Sequence, residues 1–308
     1  MQSLPQTCQH IKRSTDDGPR VQRPWIAWSL SAALMAASSS GCAATNYLDP
    51  AGPVHEVKRQ TALGPATAAG PLRVVSFNIA YAVHIDRALE VLQQNEALRN
   101  PDVLVLQEMD AEGTARIAAA LGLNAVYFPS GVHPKYDRDF GCAVLSPWPL
   151  EEARKLLLPH GARVSGLRRA ATVATVVRGS RRIRVYSVHL PSPLAISGGS
   201  RTEQLDVVGA DAANSPDPVL IAGDFNSYGR VAELERSGFT WLSRSVGDTT
   251  RLKWLGIPIA SMSFDHFLAK GLHLASNARA LGVIADNHAA SDHLPIWALV
   301  EPDELAAR

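Results

Sequence analysis

One short segment, residues 219–222, does most to constrain the fold of this chain. It is a run of branched and small apolar residues, which is typical of a buried β-strand. Gly223 allows a tight turn after it, and Asp224 and Asn226 then follow on the same side of the chain, because side chains alternate along a strand. Such a pair can bind a hard cation or orient a water molecule, although an ordinary turn explains it equally well.

Five other predicted strands also carry polar residues at one end. These strands are predicted over residues 72–77, 102–108, 182–189, 263–268 and 291–300. Their polar residues are Asn78, Gln107, Glu108, His189, Asp265, His266, Asp292 and His293. Each residue alone has a structural explanation, as a turn former, a helix cap or a buried histidine. Strand ends on one edge of a sheet converge, however, and buried polar groups without a role cost free energy, so the whole set predicts a shared active site.

Segments with helical spacing alternate with these strands. Helices are predicted over residues 85–98, 112–121, 200–213 and 231–237, and weaker strands over 125–128, 142–145 and 170–177. Pro101 and Gly122 are typical of the ends of the first two helices. The alternation predicts a layered α/β domain over residues 71–301, followed by a tail over 302–308.

The amino-terminal 42 residues have the pattern of an export signal. Residues 1–24 include four basic side chains, residues 25–37 are apolar and uncharged, and small residues then lead to Cys42. This order predicts a signal peptide and export. The small residues before Cys42 resemble the lipid-attachment site of bacterial lipoproteins, except that Ser39 stands where an aliphatic residue is usual. We expect a periplasmic protein or a lipoprotein anchored through Cys42; ordinary signal cleavage and an uncleaved anchor are the alternatives.

Composition excludes several classes of protein. Residues 1–42 hold four of the 30 basic and two of the 29 acidic side chains, so the remainder has a net charge of −1 and lacks the positive charge of a general nucleic-acid binder. The three cysteines argue against a disulfide framework and against a cysteine-rich metal site. Residues 43–70 are rich in Ala, Gly, Pro and Thr without periodicity, which predicts a linker.

Six motifs, in this order, resemble those of the endonuclease/exonuclease/phosphatase family, which includes deoxyribonucleases, repair endonucleases, inositol polyphosphate 5-phosphatases and neutral sphingomyelinases. The motifs are Ser76-Phe77-Asn78, Leu106-Gln107-Glu108, Ser187-Val188-His189-Leu190, Gly223-Asp224-Phe225-Asn226, Phe264-Asp265-His266 and Ser291-Asp292-His293-Leu294-Pro295. Arg201 and Gln204 also resemble a recurrent Arg-x-x-Gln of the family. The resemblance covers residues 71–301 and implies a four-layer α/β sandwich of two packed mixed β-sheets flanked by helices.

The same resemblance implies a bound divalent cation. Glu108 would be the main ligand of Mg²⁺, and Asn78 and Asp292 would complete or support the metal coordination. Oxygen ligands of this kind favour Mg²⁺ or Mn²⁺ over zinc.

The resemblance also implies how the remaining polar residues act on a phosphate ester. Asp224 would orient or deprotonate the attacking water, and Asn226 would hold that water and a phosphate oxygen. His293 would contact the phosphate or act as the base, held in one tautomer by Asp265. His189 would bind the phosphate and assist the leaving oxygen. Such a set is needed because phosphate esters hydrolyse very slowly without a catalyst.

The sequence says less about the substrate. Arg201 and Arg138 are candidate substrate-binding residues, although Arg138 lies in a predicted loop over residues 129–139 that solvation alone explains. We expect a monomeric phosphoesterase that depends on a divalent metal, with a phosphodiester as the first choice of substrate. Nucleic acid, a phospholipid head group and a small phosphate ester are all open. The alternative is a catalytically silent surface module of the same fold, which the presence of Asp224 and Asn226 disfavours.

Overall fold

The computed structural model describes residues 44–59, 70–254, 257–276 and 279–303. The predicted signal segment, Cys42 and most of the predicted tail therefore lie outside the described residues. None of the helices in the described ranges is long and apolar enough to cross a bilayer.

Many strands and a few helices alternate along the chain. The strands are β1 (His55–Val57), β2 (Leu72–Asn78), β3 (Val103–Met109), β4 (Asn124–His133), β5 (Arg138–Ser146), β6 (Leu150–Gly161), β7 (Arg168–Arg178), β8 (Arg181–His189), β9 (Val219–Asp224), β10 (Thr240–Trp241), β11 (Thr250–Trp254), β12 (Ile257–Met262), β13 (Asp265–Lys270), β14 (Leu272–Leu274), β15 (Leu281–Val283) and β16 (Ile296–Pro302). The helices are α1 (Ile85–Gln94), α2 (Ala111–Leu121), α3 (Gly198–Ala213) and α4 (Val231–Arg236), and a 3₁₀ turn covers Ala80–Ala82.

The strands form two mixed sheets and one separate hairpin. In the first sheet the order is β1-β4-β5-β3-β2-β16-β14, with β15 beside β16, and in the second it is β10-β13-β9-β8-β7-β6. The hairpin consists of β11 and β12. Strands β2 and β3 are parallel in the first sheet, and β8 and β9 are parallel in the second. Each sheet therefore has a parallel pair near its centre, whose carboxyl ends lie side by side.

The two sheets pack face to face, and helices cover their outer faces. Alternation along β2 shows this arrangement, because Leu72 and Val74 belong to the core between the sheets, whereas Val75 and Phe77 pack with α1 and α2. A third apolar cluster packs β8 and β9 against α3 and α4. The order helix, sheet, sheet, helix confirms the predicted four-layer α/β sandwich.

Local sequence sets the ends of the helices. Asp110 precedes α2 in an extended conformation, and its side chain accepts a hydrogen bond from the backbone N–H of Gly113, which caps the first turn. Gly122 ends α2 with a φ of 64°, a conformation that glycine adopts without strain. Helix α1 is shorter than the predicted range of 85–98, because Asn95 takes an extended backbone.

The prediction of a linker over residues 43–70 is wrong for the first half of that range, which is folded against the domain. Strand β1 pairs with β4, and Asn46 forms a β-bridge with Gly131. The buried ammonium group of Lys155 donates hydrogen bonds to three backbone carbonyls of this segment, those of Tyr47, Asp49 and Gly52. We call residues 44–59 the amino-terminal strap. Because backbone groups make most of these contacts, the absence of apolar periodicity did not reveal them.

The loop predicted over residues 129–139 is also wrong. Strands β4 and β5 continue through this region as a hairpin, with a register shift between Pro129 and Gly131. Arg138 is consequently the first residue of β5.

Candidate active site

Strand alternation directs four of the predicted polar residues into the gap between the two sheets. Asn78 ends β2, His189 ends β8 and Asp224 ends β9, and each continues the row of side chains that faces the opposite sheet. Asp265 begins β13 directly opposite Asp224. All four side chains are buried. The two sheets therefore bring polar residues from both halves of the chain to one place.

Glu108 reaches the same gap because β3 is irregular at its end. By alternation its side chain would face the helices, but the register between β3 and β5 shifts between Leu106 and Met109, and Glu108 has a φ of 57°. Its Oε2 accepts a hydrogen bond of 3.1 Å from the backbone N–H of Tyr81. Its Oε1 lies 3.7 Å from Nε2 of His189. The bulge thus turns this carboxylate toward the second sheet.

Asp224 has donors around both carboxylate oxygens. Oδ2 accepts hydrogen bonds from Nδ2 of Asn78 at 3.1 Å and from Nδ2 of Asn226 at 3.0 Å. Oδ1 accepts one from the backbone N–H of Asn226 at 2.7 Å. The Nε2 atoms of His189 and His293 lie 3.4 Å and 3.6 Å from Oδ2. Asp224 is therefore the common neighbour of residues from both sheets.

The residue before Asp224 has to be glycine. Gly223 has a φ of 141°, and a Cβ atom at this position would lie 2.0 Å from the carbonyl oxygen of Val188. No side chain fits at that distance. Strands β8 and β9 can carry His189 and Asp224 this close together because residue 223 has no side chain.

His293 forms the hydrogen-bonded pair with Asp265 that the resemblance implied. Its Nδ1 lies 2.8 Å from Oδ2 of Asp265, and the same oxygen accepts a hydrogen bond of 2.7 Å from the hydroxyl of Thr249. The other ring nitrogen, Nε2, faces Asp224. Because Nδ1 is engaged, Nε2 is the ring atom that remains available to a substrate. We call Asn78, Glu108, His189, Asp224, Asn226, Asp265 and His293 the polar cluster.

Burial and neighbouring charges shift the pKa values of this cluster. Burial raises the pKa of Asp224 to about 7, although the nearby His293 opposes this shift. Burial also raises the pKa of Glu108, and the positive charge of Arg169 opposes it. For His293, burial favours the neutral ring, but the carboxylates of Asp265 and Asp224 raise its pKa to about 10. Burial lowers the pKa of His189 well below its ordinary value, and Arg169 lowers it further.

Arg169 is a member of the site that the sequence analysis missed. Its guanidinium group stacks on the ring of Phe140 with the central carbon 4.4 Å from the ring centre. Its Nη1 is buried and has no hydrogen-bond partner among the described residues. Burial lowers the pKa of Arg169, and the carboxylate of Glu108 raises it. A buried guanidinium beside carboxylates, yet without an ion pair in the described structure, is suited to binding an anion.

No local signal in the sequence identifies Arg169. It is the second residue of β7, and alternation from Ala174, which faces the first sheet, would direct it toward the helices. The register between β6 and β7 shifts between Leu157 and Gly161, beside this position. The side chain consequently lies over Phe140 of the first sheet.

The remaining predicted residues have different surroundings. Nη1 of the buried Arg201 donates a hydrogen bond of 2.9 Å to the carbonyl oxygen of Asn226, so Arg201 adjoins the cluster. Asp292 is exposed, and its charge acts on the pKa of both Glu108 and His293.

Arg138, in contrast, is not brought into the polar cluster. It forms an ion pair with Asp110, the capping residue of α2, and lines a separate depression with Asp86 and Arg116. The structure thus ties this arginine to the start of a helix.

One cleft includes a residue of the cluster, and a second is lined by chain neighbours and contacts of cluster residues. The larger, about 650 Å³, is lined by Asn226, Arg201, Tyr228 and Phe264, among others. The smaller, about 460 Å³, is lined by Tyr81, Tyr136, Arg251 and Asp292, among others. One cleft thus adjoins residues of the second sheet, and the other adjoins residues that neighbour Glu108.

The donor set of the cluster suits a divalent cation. Asp224, Asp265 and His293 bring possible ligand atoms within 4.8 Å of one another, but Asp265 and His293 are already hydrogen-bonded to each other. Together with the largely buried Glu108, the two buried aspartates concentrate three carboxylates whose charge a cation would offset. Carboxylate and amide oxygens, including that of Asn78, favour Mg²⁺ or Mn²⁺.

The chain matches one protein family in sequence. The family model described as Endonuclease/Exonuclease/phosphatase family matches residues 75–293, a range that includes the entire polar cluster. A search of curated proteins finds no match.

Several solved structures share the fold at low sequence identity. D. rerio TDP2 complexed with a single-strand DNA product is 18% identical, with a TM-score of 0.59, over 76% of this chain and 100% of that chain. An endonuclease/exonuclease/phosphatase family protein from Leptotrichia buccalis C-1013-b is 16% identical, with a TM-score of 0.56, over 75% and 99% of the two chains. The endonuclease/exonuclease/phosphatase from Beutenbergia cavernae DSM 12333 is 24% identical, with a TM-score of 0.57, over 76% and 72%. At these identities the likeness concerns the fold.

Proposed function

Because the chain belongs to the endonuclease/exonuclease/phosphatase family, we propose that it is a divalent-metal-dependent phosphoesterase that hydrolyses a phosphodiester. The observation that carries the proposal is the meeting of Asn78 and Glu108 from the first sheet with His189 and Asp224 from the second. Carboxylates, amides and imidazoles around one gap can together hold a cation, a water molecule and a phosphate group.

Glu108 and Asn78 are the residues that would hold Mg²⁺ or Mn²⁺, with Asp292 in support. When bound, the cation would polarise a phosphoryl oxygen and offset the negative charge of the substrate. Asp265 is assigned a different role because its Oδ2 already binds His293 and Thr249.

Asp224 and Asn226 would hold the attacking water. The Asp224 carboxylate accepts hydrogen bonds from Asn78 and Asn226, so its orientation is fixed before substrate arrives. A pKa of about 7, raised by burial, suits a group that takes up a proton near neutral pH. The side-chain amide of Asn226 already donates both N–H groups, to the carbonyl oxygen of Leu190 and to Asp224, so it would hold the water through its Oδ1 and not the phosphate.

His293 and His189, which both lie beside Asp224, would contact the phosphate group. His293 presents Nε2 because Asp265 engages Nδ1. Its raised pKa, which the carboxylates of Asp265 and Asp224 cause, favours a ring that donates a hydrogen bond to a phosphate oxygen at neutral pH. His189 stays neutral because burial lowers its pKa, and it would contact the phosphate near the leaving oxygen.

Arg169 would supply a fixed positive charge for the phosphate. Its buried Nη1 has no hydrogen-bond partner among the described residues, and Phe140 supports the guanidinium plane. Donors aimed at developing charge are each worth about 3–4 kcal/mol in the transition state.

We favour a phosphodiester over a phosphomonoester because one cleft includes Asn226 of the polar cluster and a second includes Tyr81, whose backbone N–H binds Glu108. A diester has a substituent on each side of phosphorus, and the cleft beside Asn226 and the cleft beside Tyr81 offer space for both. The nature of the two substituents stays open between nucleic acid, a phospholipid head group and a small ester. A DNA strand belongs among the candidates because D. rerio TDP2, which shares the fold, was solved with a single-strand DNA product.

We also propose that the protein is exported, either to the periplasm or to a membrane that holds it through Cys42 or through an uncleaved amino-terminal segment. The support comes from the sequence of residues 1–42, which lie outside the described residues. The predicted monomeric state is likewise a proposal.

The decisive experiment is a substrate panel with the purified full chain. Plasmid DNA, single-stranded DNA, sphingomyelin, inositol phosphates and bis(p-nitrophenyl) phosphate would be incubated with Mg²⁺, Mn²⁺ or a chelator, and p-nitrophenyl phosphate would serve as the monoester. We expect metal-dependent hydrolysis of at least one diester. A nuclease activity would fall strongly as salt is raised.

A matched pair of variants separates chemistry from folding in this panel. Asp224→Asn removes the central carboxylate, whereas Asp217→Asn changes a partly buried carboxylate near the other end of β9. Only Asp224→Asn should abolish hydrolysis. Hydrolysis of the monoester alone would contradict the diester proposal, and no hydrolysis of any compound would favour the silent surface module.

A further inference from the structure

Among the large apolar side chains of the described residues, two are far more exposed to solvent than the others. Val164 is 99% exposed and Leu194 is 90% exposed, whereas the next most exposed, Leu48 and Tyr228, reach 48%. Single exposed apolar residues are common, but side chains this free of protein contact are candidates for contact with something else.

A backbone hydrogen bond joins the two segments that carry these residues. The backbone N–H of Arg163 donates a hydrogen bond of 2.8 Å to the carbonyl oxygen of Ala195, and Val164 and Leu194 are each one residue from this bond. We call residues 162–166 and 192–195 the loop tip. Arg163, in the same tip, is exposed and has no ion-pair partner among the described residues. The loop tip thus combines two apolar side chains with a positive charge.

The amino-terminal strap begins at this tip. The backbone N–H of Ala44 donates a hydrogen bond of 2.8 Å to the carbonyl oxygen of Ser165, and Nδ2 of Asn46 donates one of 3.1 Å to the carbonyl oxygen of Gly166. Cys42 is two residues before Ala44, a chain distance of at most about 7 Å. Any lipid on Cys42 would therefore be attached to the chain close to Val164 and Leu194.

We propose that the loop tip is a membrane-contact surface, and that Val164 and Leu194 enter the interfacial layer of the bilayer to which the amino-terminal segment attaches. The proposal does not depend on the catalytic assignment, but it rests on the proposed attachment of the amino-terminal segment to a membrane. An anchor fixes the domain to the membrane at one point, so a second contact close to the anchor would set the orientation of the domain at the surface. The anchor also raises the effective concentration of the tip at the surface.

A bilayer fits this tip better than a protein partner. Protein interfaces concentrate binding energy in aromatic and arginine side chains that fill pockets, whereas Val164 and Leu194 protrude as aliphatic groups with a small number of neighbours. The exposed charge of Arg163 suits anionic lipid head groups. Pro193, in the same tip, lines the cleft of about 650 Å³ beside Asn226. Membrane contact would therefore bring the mouth of this cleft to the head-group layer.

The test uses the full chain with one environment-sensitive fluorescent amino acid, introduced by stop-codon suppression at position 164, 194 or 180. Ser180 is the control because it is exposed and follows the far end of β7, an 11-residue strand about 36 Å long that begins near the tip. The protein would be reconstituted into vesicles of phosphatidylethanolamine and phosphatidylglycerol that contain lipids with a nitroxide on the head group. We expect the nitroxide to quench the probes at 164 and 194 several-fold more than the probe at 180.

A charge substitution separates a true contact from simple tethering. Leu194→Asp should remove most of the quenching of the probe at 164, whereas Ser180→Asp should leave it unchanged. Equal quenching at all three positions, or no effect of Leu194→Asp, would overturn the proposal. A probe at 164 that is already shielded from aqueous iodide without vesicles would also overturn it, because another protein surface would then cover the tip.

Discussion

Nδ2 of Asn78 donates a hydrogen bond of 3.1 Å to the carboxylate of Asp224, although the two residues belong to different sheets and lie 146 positions apart. Asn78 ends a strand of the parallel pair in the first sheet, and Asp224 ends a strand of the parallel pair in the second. Both pairs thus terminate at the same gap, and the packing of the two sheets assembles the site.

The first prediction concerns this link. Asn78→Ala removes one donor from Asp224 and one candidate metal ligand, so we expect the turnover number to fall by about 10²–10³-fold. The free energy of unfolding should fall by about 1–3 kcal/mol, because a buried acceptor loses a partner. Steady-state kinetics on the best substrate and denaturant unfolding measure the two effects.

A structural asparagine serves as the control for that variant. The side chain of Asn124 donates hydrogen bonds to the backbone carbonyls of Ser146 and Trp148, at the edge of the first sheet. Asn124→Ala should cost similar stability and leave turnover almost unchanged. Equal loss of turnover in both variants would mean that Asn78 acts through folding alone.

The second prediction concerns Asp265 as a positioning residue for His293. Asp265→Asn removes the carboxylate that holds Nδ1 and raises the pKa of His293, so turnover should fall by about 10²–10⁴-fold with little change in KM. The pH–rate limb that depends on protonated His293 should move to lower pH, because the pKa of the ring falls. The pH dependence of kcat measures this shift.

Asp102→Asn is the matched control for Asp265→Asn. Asp102 is a carboxylate at the opposite end of the first sheet, where it accepts a hydrogen bond from the indole N–H of Trp148. Its substitution should lower stability and leave the pH–rate profile in place. If Asp265→Asn lowers kcat without moving the profile, the residue does not tune His293.

The third prediction concerns Arg169. Arg169→Met should raise KM or lower kcat by about 10–10²-fold in total, because a charged donor to the phosphate is lost. The free energy of unfolding should stay the same or rise, because an apolar side chain replaces a buried cation that has no ion pair in the described structure. Arg168→Met is the control, since Arg168 donates to the carbonyl oxygen of Leu158. A loss of stability without a loss of activity in Arg169→Met would contradict the assignment.

The site residues whose direction the sequence predicts are those on regular strands. Asn78, His189 and Asp224 follow simple alternation, so their convergence could be anticipated together with the sandwich itself. Glu108 is predicted at the end of its strand from the residues alone, but its role as a metal ligand comes from the resemblance to a family motif, because the bulge that turns its side chain cannot be read from local composition. Arg169 carries no such motif, and its direction depends on an irregular strand pair.

The amino-terminal strap shows a second limit of sequence analysis. Its position depends on backbone groups and on a partner more than a hundred residues away, Lys155, and neither leaves a pattern in the strap's own sequence. Composition alone therefore indicated a linker where the chain is folded.

The fourth prediction concerns this strap. Lys155→Met leaves the carbonyl groups of Tyr47, Asp49 and Gly52 without their common donor, so the free energy of unfolding should fall by about 1–3 kcal/mol. Limited proteolysis followed by mass spectrometry should show earlier cleavage within residues 44–59. Lys270→Met is the control, because the exposed Lys270 donates to one carbonyl, that of Ala213. Unchanged cleavage in Lys155→Met would show that β1 and the contacts of Ala44 and Asn46 hold the strap without Lys155.

The last prediction concerns the stability of the fold in acid. His266 is fully buried against Trp241 and Phe225, and burial lowers its pKa to about 4. The unfolded chain binds this proton near pH 6.5, so His266 should reduce the free energy of unfolding by roughly 3 kcal/mol as the pH falls from above 6.5 to about 4. The raised pKa values of Asp224 and Glu108 act in the opposite direction, because the stability that they contribute is lost as the pH rises, so variants have to be compared with the parent at each pH.

The variant His266→Phe should therefore lose less stability between pH 7 and pH 4.5 than the parent, whereas His55→Phe, at an exposed site, should lose as much as the parent. Denaturant titrations at both pH values measure the difference, and an equal acid loss in His266→Phe and the parent would show that the proton taken up in acid does not belong to His266.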